Sequence, residues 1–327
     1  MIDPREKNLE EMRRRLVELK AMARESGLDV SGQVNELERR LAVEQAAIMA
    51  SLSRFDRVQL ARHQERPFTL DYIDRLCTDW VELHGDRKYR EDPAIVGGWA
   101  TLAGRSVMMI GHQKGRDMKD NLHRNFGSAH PEGYRKAARL MLLAEKFGRP
   151  VVTLVDTQGA YPGIGAEERG QAEAIARNLI VMAGLRTPIL SCVIGEGGSG
   201  GALGIAVADR ILMMENAIYS VISPEGCAAI LWRSRDRAPE AAEALRVTAD
   251  DLSEFGIVDE VVPEPLGGAH VNPDEAAATL GEALERNLDD LVAMNRDELV
   301  QKRREKYAQM GRWVETKVDQ QAEIEQE

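Results

Sequence analysis

Nine residues, Gly195-Glu196-Gly197-Gly198-Ser199-Gly200-Gly201-Ala202-Leu203, bring together the types and spacing most suited to chemistry in this chain. They leave an apolar run over 189–194 and enter an Ala-rich run over 202–208, a pattern that predicts a strand, a glycine turn and a helix N-terminus. Glycine admits positive φ and close approach of another molecule, and the first amides of a helix have no intrahelical partner. Such a turn offers free N–H groups to an anion. A second turn of the same kind, Asp156-Thr157-Gln158-Gly159-Ala160-Tyr161-Pro162-Gly163-Ile164-Gly165, follows a predicted buried strand over 151–155 and precedes a predicted long helix over 166–183. Two sets of amides at the ends of successive strands can face one cleft and hold a developing oxyanion, each donor being worth roughly 10²- to 10³-fold in rate. An enolate is the natural client of such a site.

The glycine stretch satisfies two short patterns at once. Gly195, Gly197 and Gly200 spell GxGxxG, with Glu215 at about the distance of a ribose-binding acid; Gly197, Ser199 and Gly201 spell GxSxG. A dinucleotide site needs a crossover helix of roughly ten residues or more, and 202–208 is short for that. A serine hydrolase would use Ser199 with a downstream acid and His270, the only histidine after the motif. That reading stays open at the level of sequence.

Other reactive residues form no pattern. The six histidines are scattered without HxH or HxxxH, and Cys77, Cys192 and Cys227 lie far apart without CxxC, so neither a metal centre nor a disulfide framework is expected. His112 ends a predicted strand beside Lys114 and Arg116, in a basic stretch suited either to phosphate or simply to solvent. Asp156 and the pair Glu167-Glu168 are candidate general bases, although acids at a helix start also suit the macrodipole.

Several elements must position these residues. The chain has 327 residues with 43% hydrophobic content, enough for one large domain or two ordinary ones. A formal charge of −11 argues against nucleic acid or an anionic membrane as the default partner, and no apolar run approaches the length of a membrane span. With no signal-peptide pattern at the N-terminus, a reduced, cytoplasmic protein is expected. Helical spacing over residues 5–60, interrupted at Ser26-Gly27 and Ser31-Gly32, predicts an antiparallel helical arm over 1–66. Thr69 is a plausible N-cap for a helix over 70–83, and the runs 94–102 and 106–113 read as a hairpin. Residues 114–130 read as a surface loop, and Pro131 opens a helix that Gly148 stops. Strands over 211–214, 218–222 and 257–262, a helix opened by Ser223-Pro224 and helical runs over 238–255 complete a predicted α/β domain over 67–275. A mixed-charge helical extension over 276–327, frayed or disordered at its end, closes the chain.

The segments GHQKGRD at 111–117, RNFGSAHPEGYRKA at 124–137, DTQGAYPGIGAEERGQAEAIARN at 156–178, IGEGGSGGAL at 194–203, YSVISPEGCAAILW at 219–232 and PEPLGGAH at 263–270 closely resemble the bacterial acetyl-CoA carboxylase carboxyltransferase alpha family. Gln158 stands where some members carry proline. The resemblance implies a crotonase-like spiral of ββα units. It also implies transfer of a carboxyl group from carboxybiotin, on its carrier protein, to acetyl-CoA, giving malonyl-CoA for fatty acid synthesis. Implied partners are a zinc-ribbon beta subunit in an α2β2 assembly, the biotin carboxyl carrier protein and an ATP-dependent biotin carboxylase, with no metal in this chain. The amides of Gly200 and Gly201 are then expected to stabilise charge on the ureido oxygen. Gly197, Gly198 and Ser199 would frame that hole, and Gly159, Ala160 and Gly163 would shape the cleft with Tyr161 as a wall. An alternative within the same complex is a scaffold whose glycine turns are architectural.

Overall fold

The computed structural model describes residues 4–26 and 30–311. Its centre is an eight-stranded sheet: β1 (Cys77–Glu82), β2 (Ile95–Leu102), β3 (Arg105–His112), β4 (Val151–Thr157), β5 (Ile189–Gly198), β6 (Arg210–Met214), β7 (Ile218–Ser220) and β8 (Glu260–Val262). The strand order is β1-β2-β3-β4-β5-β6-β8, with β7 pairing on β5. The first three strands run antiparallel and the rest pair in parallel. Every residue of β4 and all but the last of β5 are buried, as parallel strands covered on both faces must be. The β2–β3 hairpin closes through Ala103 and Gly104, both at positive φ (47° and 73°), which suits the twist of a two-residue turn.

Helices surround the sheet. α1 (Pro4–Ser26) and α2 (Ser31–Ala50) form a helical pair, tied by Lys20–Glu38 at 2.7 Å, while Met12 and Val43 line one recess. These pairings make the two helices antiparallel. α3 (Arg54–Ala61) follows, started by a Ser53/Asp56 capping box. α4 (Thr69–Leu76) ends earlier than its spacing predicts, because the next six residues pair as β1 with β2. Thr69 is not the cap: its hydroxyl donates to the His112 carbonyl (2.6 Å), and Asp71 accepts from the Phe68 amide (2.7 Å). α5 (Met118–His123) lies within the predicted 114–130 loop. α6 (Pro131–Phe147) keeps both predicted ends, Gly148 closing it at φ 63°. The single helix expected over 166–183 is two, α7 (Ile164–Glu168) and α8 (Gln171–Gly184), parted by Gly170 at φ 80°.

α9 (Ser199–Ala206) follows β5, and α10 (Pro224–Trp232), α11 (Ala238–Leu245) and α12 (Ala249–Glu254) lie between β7 and β8. α13 (Pro273–Val292) and α14 (Arg296–Ala308) then pack onto the same core, to which α13 contributes Leu280, Leu284, Leu288 and Leu291. Arg303, fully buried, fixes α14 by donating to Asp209 and to the carbonyls of Met182, Leu185 and Thr187. The frayed end expected for the extension falls beyond residue 311, outside the described residues.

Candidate functional site

The glycine stretch is not the turn that its composition predicts. β5 continues through Gly198, so Gly195 to Gly198 are strand, and α9 starts at Ser199, three residues early. The extension is held by pairing on both sides: Gly197 opposes Thr157 of β4, while Glu196, Gly197 and Gly198 oppose Ile218, Tyr219 and Ser220 of β7. The turn shrinks to one residue, Ser199 at φ 55°.

Most of these glycines exist because something else fills the space of a side chain. A Cβ on Gly195 would meet the Asp156 carboxylate at 2.5 Å, and one on Gly197 would meet the Tyr219 ring at 2.6 Å. Gly198 is pressed against the Thr157–Gln158 main chain, and Gly201 against that of Gly159 and Ala160. The two turns therefore pack backbone to backbone. Gly200 differs: a Cβ there would meet nothing nearer than 3.9 Å. Its amide and that of Gly201 find no acceptor among the described residues, as the first amides of a helix do when nothing caps them.

The first turn is looser. Gly159 sits at φ 147° with open space where a side chain would go, and its amide donates to Thr157 Oγ1 (3.1 Å), whose hydroxyl donates back to the Gly159 carbonyl (2.9 Å). Tyr161 folds over Gly163 and lies against His130, with ring centroids 4.2 Å apart and the planes tilted by 43°. Gln171 secures it by donating to the Tyr161 and Ala129 carbonyls (3.0 and 2.8 Å).

Two recesses border this region. One, polar and about 660 Å³, is lined by Arg62, Gln158, Gly159, Ala160, Glu196 and Glu225, with Ser128, Pro162 and Ser223. Of the predicted wall residues it takes Gly159 and Ala160 but not Tyr161 or Gly163, since the tyrosine ring turns toward His130 and Pro162 holds the cleft side. Gly200 and Gly201 adjoin it through the Gly201–Gly159 contact rather than lining it. The other recess, apolar and about 690 Å³, runs from Leu203 on α9 past Tyr219 and Val221 to Phe255 and Met310.

A chain of charges backs the polar recess. Lys114 Nζ donates to Asp156 Oδ1 (2.6 Å) and reaches Glu196 Oε2 (3.5 Å); Arg62 donates to Glu196 Oε1 (2.7 Å) and Glu225 Oε1 (2.6 Å). Burial alone would depress the Lys114 pKa, but the Asp156 and Glu196 carboxylates outweigh it and hold it above the ordinary lysine value. Lys114 is thus an interior ion-pair partner, not a loop residue awaiting phosphate. Arg116 is equally engaged, with Asp71, the Gln64 and Arg66 carbonyls and the Phe68 ring. Asp156 is committed to Lys114 and to the Glu196 amide (2.9 Å), and Glu167 and Glu168 are exposed on α7.

His112 is fully buried behind Gly201. Burial, then the charge of Lys114, pushes its pKa down to about 3, against a small opposing pull from the Gly201 backbone, and neither ring nitrogen makes a hydrogen bond of good geometry. His270 stacks on His63 at 3.9 Å between ring centroids, and burial followed by that neighbour lowers its pKa to about 4. No hydrogen bond joins it to Ser199 among the described residues, so the hydrolase pairing is not assembled. Glu215, the candidate ribose acid, accepts from the Glu264 amide (3.1 Å).

Arg62, Glu196 and Glu225 were not singled out from sequence as a set. Glu196 carried the available signal: a lone acid among glycines at the end of an apolar strand needs a cation once buried.

A family model described as "Acetyl co-enzyme A carboxylase carboxyltransferase-like" matches residues 2–311. The chain is 55% identical over 307 residues to the acetyl-coenzyme A carboxylase carboxyl transferase subunit alpha of Geobacillus kaustophilus, covering 94% of each. It is 55% identical over 310 residues to the protein of that name from Geobacter metallireducens, covering 95% of this chain and 97% of that one. Among solved structures, a Pseudomonas malonate decarboxylase hetero-tetramer in complex with coenzyme A superposes with a TM-score of 0.58 at 19% identity, over 73% of this chain and 95% of that one. Transcarboxylase 12S, with methylmalonyl-coenzyme A and methylmalonic acid bound, gives 0.56 at 20% identity over 79% and 44%. These likenesses show the fold, a crotonase-like α/β architecture.

Proposed function

The chain belongs to the acetyl-CoA carboxylase carboxyltransferase family, and from that premise we propose that the start of α9 is where it holds charge during the reaction. Its activity is that of the alpha component of the carboxyltransferase: transfer of a carboxyl group to acetyl-CoA, giving malonyl-CoA and opening fatty acid synthesis. Carboxybiotin on a biotin carboxyl carrier protein would supply the carboxyl group, and this chain would hold the negative charge that develops on its ureido oxygen. The Gly200 and Gly201 amides suit that oxygen, being two N–H donors without acceptors, one of them in a residue with free space in front of it.

The carrying observation is Gly200. Packing accounts for glycine at 195, 197, 198 and 201, but nothing among the described residues needs the room at 200. That room is for a visitor. The acids beside the segment, Asp156, Glu196 and Glu225, are held by Lys114 and Arg62, so this half of the site contributes donors rather than a base. The proton acceptor would then come from outside this half of the site, with a partner completing it. That partner is a zinc-ribbon beta subunit in an α2β2 assembly, and a biotin carboxylase recharges the carrier in the cytoplasm. Gly159 and Ala160 shape the adjoining recess, while Gly197, Gly198 and Ser199 set the strand-to-helix step.

The tight packing of Gly198 and Gly201 also suits a scaffold, in which glycine is purely architectural. Gly200→Ala separates the two readings in the complex reconstituted with its partner subunit. The added methyl meets no neighbour closer than 3.9 Å, so melting temperature and assembly should hold. Carboxyl transfer should fall by roughly 10- to 100-fold as the approach to the amides is blocked. Unchanged transfer in an intact assembly would sink the charge-holding role. Ser199→Ala is the control and should cost less than about threefold, since the hydroxyl makes no hydrogen bond among the described residues.

A further inference from the structure

We propose that Lys114 and Asp156 form a positioning pair that fixes the aim of the Gly200 and Gly201 amides. The inference rests on the charge-holding role of those amides and adds what keeps them in place.

It starts from the register between β4 and β5. Val155 opposes Val193, but the next pair is Thr157 with Gly197, so two steps along β4 are matched by four along β5. The surplus is taken up at residues 194–196, a bulge that bends the strand and redirects the residues after it. Asp156 sits opposite that bulge. Its Oδ1 accepts from the Glu196 amide (2.9 Å), inside the bulge, and from Lys114 Nζ (2.6 Å). The carboxylate occupies the space that the missing side chain of Gly195 leaves open. Lys114, arriving from the end of β3, also reaches Glu196 Oε2 (3.5 Å), so one ammonium ties the segment after β3 to both β4 and β5. Two residues beyond Glu196, Gly198 stands at the N-terminal boundary of α9 without capping its amides.

A buried ion pair adds little stability over an apolar pair of similar size. What this one adds is a fixed bulge, and so a fixed position for the helix start. Neither side chain lines the polar recess, and Glu196, which does, has one oxygen on Arg62 and the other near Lys114. The pair acts through the backbone and does not touch the reacting atoms.

The test uses the reconstituted complex and two variants. Asp156→Asn leaves Lys114 with Glu196 as its partner, so no buried charge is stranded; Lys114→Met/Asp156→Asn removes both charges and keeps an acceptor for the Glu196 amide. Positioning predicts that kcat falls roughly tenfold or more in both, with KM for acyl-CoA within about twofold of the parent and assembly intact. A role in folding alone predicts lower melting temperatures with full kcat in whatever is folded. Full kcat in an assembled variant of either kind overturns the proposal, and if the double variant does not fold, Asp156→Asn decides. Gly200→Ala run alongside keeps the two ideas apart. Loss there with kcat retained in the Asp156 variants discards only the positioning pair, whereas no loss there discards the amide reading beneath it.

Discussion

The turns after β4 and β5 are both glycine-rich, yet glycine serves different ends in them. After β4, Gly159 is required for its backbone angle, φ 147°, and faces empty space. After β5, Gly198 and Gly201 have negative φ and are required because the neighbouring main chain leaves no room for a Cβ. The first turn is an open edge that borders a recess; the second is wedged against it. A wedged turn is the better place for preorganised donors, whose catalytic worth depends on not having to reorganise.

Three measurements would break or sharpen that contrast. The largest effect is expected from Gly201→Ala, where the new methyl would strike the backbone of Gly159 and Ala160. Melting should show a loss of about 1–3 kcal/mol or more, with carboxyl transfer down by at least about 10²-fold. A stable, active variant would show that the turns are not wedged. Gly159→Ala should cost about 1–3 kcal/mol through backbone strain alone and leave most of the activity, because nothing crowds its Cβ. Equal loss of activity from both substitutions would erase the distinction.

The smallest effect concerns His112, behind Gly201, whose folded pKa lies far below the unfolded value. The unfolded chain binds a proton that the folded one refuses, so stability rises with pH and is lost as pH falls from about 6.5 toward 3. His112→Gln should flatten the stability profile between pH 5 and 6.5 by up to about 1.4 kcal/mol per pH unit. Asp92, whose pKa burial raises to about 6, works in the opposite sense and is untouched by the substitution. An unaltered slope would mean that the ring is hydrated rather than sealed behind the turn.

The α/β class, the hairpin and α6 were legible in the sequence because local signals and tertiary environment agree there: a two-residue turn at positive φ, a proline start, a glycine stop. β1 was not, because Leu70, Ile73 and Leu76 carry helical spacing toward a segment that pairs along the edge of β2 instead. The 195–198 glycines read as a turn because composition records flexibility, whereas their state is set by β7, which arrives later in the chain. Lys114 read as a solvated charge for a similar reason, its partners Asp156 and Glu196 lying 42 and 82 residues away. Main-chain amides leave no side-chain signature, so residues 200 and 201 were picked out by the glycine pattern and by the resemblance rather than by any reactive side chain.

The root of the arm bears on where the chain can be shortened. Arg54 reaches Glu243 and Asp251, Arg57 reaches Asn216, Arg62 reaches Glu196 and Glu225, and Arg66 reaches Glu264 and the Ile194 carbonyl. Val58 and Ala61 fill the small apolar cluster under β7 with Ile218 and Val247. A cut ahead of Ser53 removes the α1–α2 pair with its Gln45–Leu266 carbonyl bond (3.1 Å) and spares the capping box of α3, while a cut at 66 strips four guanidinium anchors from the body and bares the back of the strand that feeds α9.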